Sequence, residues 1–218
     1  MNDIIIHPVY FPSILNFALM INSGKLIFEV NDYYEKQTYR SRMYIQSANG
    51  KQLLSVQVLH THTDGKQLYK DVKISHDFDW QKNHWRSLET AYRTSPYFEF
   101  YEDDLYPLFH HKEKYLVDLN LKIFDKLTDL LDIEKKYQLT ESFQPDYKDY
   151  SDFRYLKNAK KTLPVVANFP KYTQMFSDRL GFMPNLSILD LIFMEGPNSL
   201  TYLENIYGLT KSEKADTL

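Results

Sequence analysis

Apolar positions along the chain turn to helical spacing from about residue 79, after short strand-like runs and one early helical stretch. Ile4-Ile5-Ile6, followed by Pro8 and Pro12, predicts a buried first strand that ends in a bent loop. Ile14, Phe17, Ala18 and Ile21 then predict a helix over 13–21. Residues 25–30, after Gly24, read as a second strand. Asn49-Gly50 between 43–47 and 53–58 is a hairpin signal, with Leu54, Val56 and Val58 alternating against Ser55 and Gln57. Residues 71–75 are a further strand candidate. From Asp79, an N-cap residue type, Trp80, His84, Leu88 and Ala91 predict a helix that stops before Pro96. Another is expected over 98–109. Leu116, Leu119, Ile123, Leu127, Leu130 and Leu131 make 113–132 the most regular amphipathic helix in the chain. The pattern dissolves into Pro, Asp, Tyr and Lys over 143–170, a long connection expected to be a lid or a mobile segment. Short helices over 172–180 and 187–194 precede a polar tail after Gly208 that is expected to fray.

No internal repeat is visible, so one domain over 1–218 is expected, of class α/β: a small mixed sheet from the N-terminal half, with helices from about residue 79 packed on it. An α+β arrangement is the nearest competitor, because the hairpin brings antiparallel pairing. Strand order does not follow from the pattern.

Composition removes whole classes of chemistry. The 218 residues contain no Cys, which excludes thiol nucleophiles, iron–sulfur clusters, Cys-ligated zinc and disulfides. The 6 glycines are not spaced as G-x-G-x-x-G, a Walker loop or G-x-S-x-G, which argues against Rossmann, P-loop and α/β-hydrolase sites. A net charge of −3 gives no basic field to drive nucleic-acid or anionic-membrane binding. The N-terminal stretch is acidic and its apolar run is too short for a signal peptide, so the expectation is a cytoplasmic protein without a membrane span.

Candidate chemistry is dispersed. At strand spacing, Arg40-Ser41-Arg42 would project two guanidiniums from one face as a clamp for phosphate or carboxylate, extended by Lys36; two solvated arginines entering a hairpin are the plainer alternative. His7, directly after the first strand, stands where α/β sheets place ligand-binding loops, and could polarise a phosphate or act as a base. His84 shares a helical stripe with Trp80 and Tyr92 and could be a titratable group in a pocket, or simply a packed, hydrogen-bonded imidazole. His60, His62 and Asp64 have one-face ligand spacing, but Gly65 follows in a polar turn and no fourth ligand is evident, so a metal-free loop is expected. His110-His111 near Asp103, Asp104 and Glu113 is read in the same way. The 18 tyrosines and 14 phenylalanines are mainly core and groove walls. The sequence does not name a cofactor.

Several of these blocks occur together in an order that resembles the WbqC-like family, in particular its shorter Bacteroidetes-type members. They are Tyr10-Phe11-Pro12, Lys36-Gln-Thr-Tyr-Arg-Ser-Arg42 leading into Ala48-Asn-Gly50, Trp80-x-x-x-His84 with Ala91-Tyr92 and Ser95-Pro-Tyr-Phe98, and residues 181–193 with Gly196-Pro197. The resemblance covers most of 4–203. It implies an association with O-antigen and surface-polysaccharide biosynthesis, and transfer of glycine or another acyl group onto an amino sugar. It also implies pocket roles for Arg40, Arg42, His84, Tyr92, Asp190 and the turn at Tyr10. The chain departs from the pattern at His7-Pro8, where relatives carry Gln-Pro, at Ile192-Phe193-Met194, and in lacking a Ser-Gly-Pro stretch within 143–170.

The expected function is therefore a transferase acting on a phosphorylated or nucleotide-linked sugar. Arg40, Arg42 and Lys36, with His7, Tyr10 and Tyr92, would hold the anion, His84 would be the base, and Asp190 the orienting carboxylate. A noncatalytic binding or scaffold protein is the alternative, since no nucleophile–base signature is present. Nucleic acid is not an expected partner.

Overall fold

A computed structural model describes residues 2–59, 67–161 and 164–215. His60, His62 and Asp64 lie outside the described residues.

Ile4-Ile5-Ile6 form β1 (Ile4–Ile6), whose every side chain is buried, as expected for a strand covered on both faces. It pairs in parallel with β2 (Leu26–Phe28) on one side and with β6 (Ser151–Asp152) on the other. β5 (Tyr137–Leu139) adds in parallel outside β2, giving the order β5-β2-β1-β6. β3 (Arg42–Ser47) and β4 (Gly50–Ser55) form a separate antiparallel hairpin. The class is α/β, as the residue pattern indicates. The expected single mixed sheet is instead a parallel sheet and a separate ribbon. Two of the four parallel strands come from the second half of the chain, too short to show a period. Residues 71–75 form no strand; a 3-10 turn at Tyr69–Asp71 and isolated bridges occupy this stretch.

In the hairpin, Ser47 pairs with Gly50, so Ala48 and Asn49 make the turn. Gly50 opens β4 with φ 110°, a backbone state that favours glycine.

Helix α1 (Ile14–Ile21) links β1 to β2 and is buried throughout; the Ser13 hydroxyl caps it by accepting from the Asn16 N–H. It is covered by α6 (Ile188–Glu195) and α7 (Ser199–Ala215). Helix α2 (Trp80–Tyr92) packs against the hairpin, and α3 (Phe98–Leu105) against α4 (Leu116–Leu130). Phe124 of α4 meets Phe17 of α1 and Phe28 of β2, with ring centroids 6.1 and 5.2 Å away, which joins this helix to the sheet. The helix expected over 172–180 is confined to α5 (Ser177–Leu180), and the tail expected to fray from Gly208 continues as α7 to Ala215. Packing of Leu203, Ile206 and Tyr207 into the core holds it. No described helix is long and apolar enough to cross a membrane.

Gly196 ends α6 with φ 53°, and a Cβ placed there would stand 2.6 Å from the Tyr97 ring. Gly196→Ala is expected to cost about 2 kcal/mol through this overlap and the strained φ. Gly208→Ala, in open space within α7, is expected to gain about 0.5–1 kcal/mol. Urea unfolding of the two variants checks this, and equal midpoints would contradict it.

Candidate functional site

The carboxyl ends of the four parallel strands gather a set of polar and charged residues, among which His7, Glu29, Asp32 and Arg154 are buried. β1 delivers His7, β2 delivers Glu29 and then Asp32, β5 delivers Thr140, and β6 ends on Asp152 and is followed by Arg154. The chain leaves β1 toward β2, while β6 is added on the opposite side. The crevice between the ends of β1 and β6 is therefore a topological switch point, where open α/β sheets place their ligands.

Asp32 is the hub. Its Oδ2 accepts from His7 Nε2 at 2.8 Å and from Lys157 Nζ at 3.0 Å, and its Oδ1 accepts from Arg40 Nη1 at 2.8 Å. Burial alone would push this carboxyl up, but the His7 hydrogen bond and the Arg40 and Lys157 charges hold it well below the usual carboxylate range. His7 is wholly buried. Desolvation lowers its imidazole to about 4, against the pull of Asp32, so the ring is neutral at pH 7. A carboxylate can only accept, so Nε2 carries the proton. Nδ1 then holds a lone pair, buried and without a hydrogen-bonding partner among the described residues.

Arg40 is also fully buried. Its guanidinium lies between the rings of Tyr34 and Tyr69, at 5.2 and 4.9 Å, an arrangement worth about 2 kcal/mol when desolvated. Nη1 also reaches the Tyr33 carbonyl, and the Arg40 carbonyl accepts from Asn120 Nδ2 at 2.7 Å. A second ion-paired group adjoins this one. Arg154 is held to Asp152 at 2.6 Å by Nη2 and to the Gln144 carbonyl at 2.7 Å, with Glu29 at 3.5 Å.

Outside this ionic floor lies a cleft of about 430 Å³, lined by Asp32, Asp152, Arg154, Lys157 and Lys161, with Phe143 and Tyr155 at its edge. Lys157 also pairs with Glu35 at 2.7 Å. Acidic and basic side chains share one opening. Such a surface suits a polar ligand bearing both hydroxyl or amine donors and an anionic group. Among the described residues no group of three His, Asp or Glu is gathered to hold a metal ion.

The residues expected to converge do not share one cavity. Arg40 lies in a turn before β3 and not in a strand, so the two-residue face rule does not apply to it. It points into the core toward Asp32, whereas Arg42 and Lys36 line a separate hollow. No Arg40–Arg42 clamp forms. His84 is buried on α2: Nδ1 accepts from the Tyr10 hydroxyl at 2.9 Å, and the ring also hydrogen-bonds the Ser55 backbone. Desolvation lowers it to about 4. Asp190 accepts from Tyr92 at 2.7 Å, Tyr172 at 2.5 Å and Gln174 at 2.8 Å. Burial pushes its carboxyl up against the three donors. Tyr10 and Tyr92 spend their hydroxyls on these partners. None of His84, Asp190, Tyr10 and Tyr92 lines the cleft.

The segment 143–170, expected to be irregular, carries β6, a 3-10 turn at Arg154–Lys157 and another at Pro164–Asn168. It supplies one wall of the cleft. Asp32, Asp152, Arg154, Lys157 and Lys161 were not signalled by any motif. The rule that singles out His7, position just past a parallel strand, would have reached Glu29 and Asp32 as well. For Arg154 no signal exists, because a two-residue strand has no period.

The chain matches the WbqC-like protein family over residues 7–163. It belongs to that family. Every cleft residue named above falls within the matched stretch, and Asp190 falls beyond it. An uncharacterised protein of Mycobacterium tuberculosis, Rv1507c, is 25% identical over 228 aligned residues, covering 91% of this chain and 96% of that protein. No solved structure matches the chain.

Proposed function

We propose that the cleft at the carboxyl ends of β1 and β6 binds a phosphorylated or nucleotide-linked sugar, and that the protein transfers an acyl group such as glycyl to that sugar in surface-polysaccharide biosynthesis. The observation that carries this reading is the opening at the switch point, where an ionised carboxylate, Asp32, stands beside Lys157 and Lys161. Lys161 is exposed and belongs to no ion pair among the described residues, so it is free to meet a phosphate. Asp32 is too weak a base to deprotonate an amine, but as a fixed acceptor it can orient an amino sugar's N–H or O–H groups. Transfer from an activated acyl donor then rests on holding the two reactants together, which by itself can lower a barrier by about 7–11 kcal/mol. Phe143 and Tyr155 offer ring faces at the edge for a sugar or base.

A noncatalytic ligand-binding role is the second reading. It is favoured by the placement of His84 and Asp190, expected from the sequence as base and orienting carboxylate, inside closed hydrogen-bonded sets away from the cleft.

Titration calorimetry with UDP-sugars and with acyl-coenzyme A tests the site. Binding of a UDP-sugar is expected, weakened about tenfold in Lys161→Gln by loss of one charge-assisted hydrogen bond, with the melting temperature unchanged. No heat with any UDP-sugar, or binding that Lys161→Gln leaves intact, would remove the cleft as the sugar site. Acyl exchange detected by mass spectrometry separates the transferase from the binding protein.

A further inference from the structure

A second hollow, of about 190 Å³, lies where the chain enters β3. Its walls include Lys36 and Arg42, the hydroxyl-bearing Tyr34, Ser41 and Ser55, and the amide of Gln57. None of its lining residues is acidic, and neither cation belongs to an ion pair among the described residues. This distinguishes it from the cleft, whose walls carry charges of both signs. Two unpaired cations beside a neutral hydrogen-bonding wall leave a local positive field that attracts an anion.

Size restricts the occupant. Small-molecule pockets run to roughly 300–1,000 Å³, and liquid water takes about 30 Å³ per molecule. The hollow is therefore suited to one compact anionic group and not to a whole nucleotide sugar. The Tyr34 hydroxyl donates to Ser41 Oγ at 2.9 Å, which leaves the Ser41 proton free to point elsewhere. The ring of Tyr34 is also the partition between this hollow and the buried Arg40, which lies 5.2 Å from its centroid. Arg40 is consumed by Asp32, so Arg42 is the guanidinium of this region that remains available to a ligand.

We propose that this hollow is a binding subsite for a single phosphoryl group, with Arg42 as its bidentate donor and Lys36 as its second charge. The planar fork of Arg42 matches two phosphate oxygens, and Lys36 acts as a point charge on the third. The group can be free phosphate or the phosphoryl of a small ester, and both present the same oxygens to the site. The subsite stands apart from the cleft and does not depend on what the cleft binds.

The test is an amide chemical-shift titration of the full chain with inorganic phosphate and, separately, with glucose 1-phosphate, each against sodium chloride at matched ionic strength. Saturable shifts at Gln37, Ser41, Arg42 and Ser55 are expected, weakened about tenfold in Arg42→Gln and unchanged in Lys161→Gln. Arg42→Lys keeps the charge and loses the fork, so intermediate binding is expected, and its melting temperature shows whether the hairpin is intact. Tighter binding of the ester than of phosphate assigns the group to a larger molecule, while equal binding assigns free phosphate; both uphold the site. Shifts reproduced by chloride, shifts confined to the cleft, or binding that survives Arg42→Gln would overturn it.

Discussion

Arg40→Ala is expected to destabilise the protein by about 3–5 kcal/mol, a large part of the stability of an ordinary domain. The change removes one partner of a buried ion pair and leaves Asp32, 2.8 Å from the missing Nη1, with less compensation for its desolvated charge. It also opens the space between the Tyr34 and Tyr69 rings and strips the cation from both. Asp32→Asn alone should be costly for the mirror reason, since it leaves Arg40 as a charge with no exposure to water. In the double variant Arg40→Ala/Asp32→Asn the two losses should be less than additive, as neither charge is then orphaned. Arg42→Ala, two residues away but half-buried and unpaired, should change stability by no more than about 0.5 kcal/mol. Denaturant unfolding of the four variants gives all of these values. An Arg40→Ala cost under about 1 kcal/mol would show that Asp32 does not depend on the buried guanidinium.

Acidification between pH 6.5 and about 4 is the second large effect. His7 and His84 are each lowered by burial from 6.5 to about 4. In the unfolded chain both take up protons as pH falls through 6.5, while in the native chain they resist until about pH 4. The unfolded state therefore binds more protons across this window, and stability falls as pH falls. Each histidine contributes about 3 kcal/mol of loss by this linkage. The raised carboxyl of Asp190 acts in the opposite sense, because its contribution is present at low pH and lost as pH rises through its folded value. Asp32, held below the usual range, adds its own loss only below the histidine window. The expected result is a steep drop in unfolding free energy between about pH 7 and about pH 4.5. His84→Gln, whose side chain can still bond the Tyr10 hydroxyl but does not titrate, should flatten the slope by about half. A pH-independent stability across the window would mean that both imidazoles titrate as they do in water.

Arg40, His7, His84 and Asp190, which sequence analysis singles out for catalysis or ligand binding, all sit in buried ion-paired or hydrogen-bonded sets. The reason is specific in each case. Arg40 and Arg42 are two apart, but Arg40 precedes the strand, so their side chains diverge and one finds the buried Asp32. His84 does lie on the stripe with Trp80 and Tyr92, yet that stripe faces the hairpin and the loop after β1, which brings Tyr10 and Ser55 to the ring before any ligand can reach it. Asp190 sits in the buried, otherwise apolar stretch 188–193 of α6, and two tyrosines and Gln174 close around it.

By itself the sequence determined the α/β class, the buried first strand, the hairpin, the amphipathic helices and the membership that its ordered blocks announce. Those features rest on local periodicity and turn chemistry, which neighbours along the chain can express. Only the tertiary structure decided the parallel order β5-β2-β1-β6 and the union of His7, Asp32, Arg40 and Lys157, together with the splitting of one supposed clamp into a buried ion pair and an open hollow. Contacts spanning up to 125 residues leave no periodic trace, because what selects them is the cost of burying each charge without its partner.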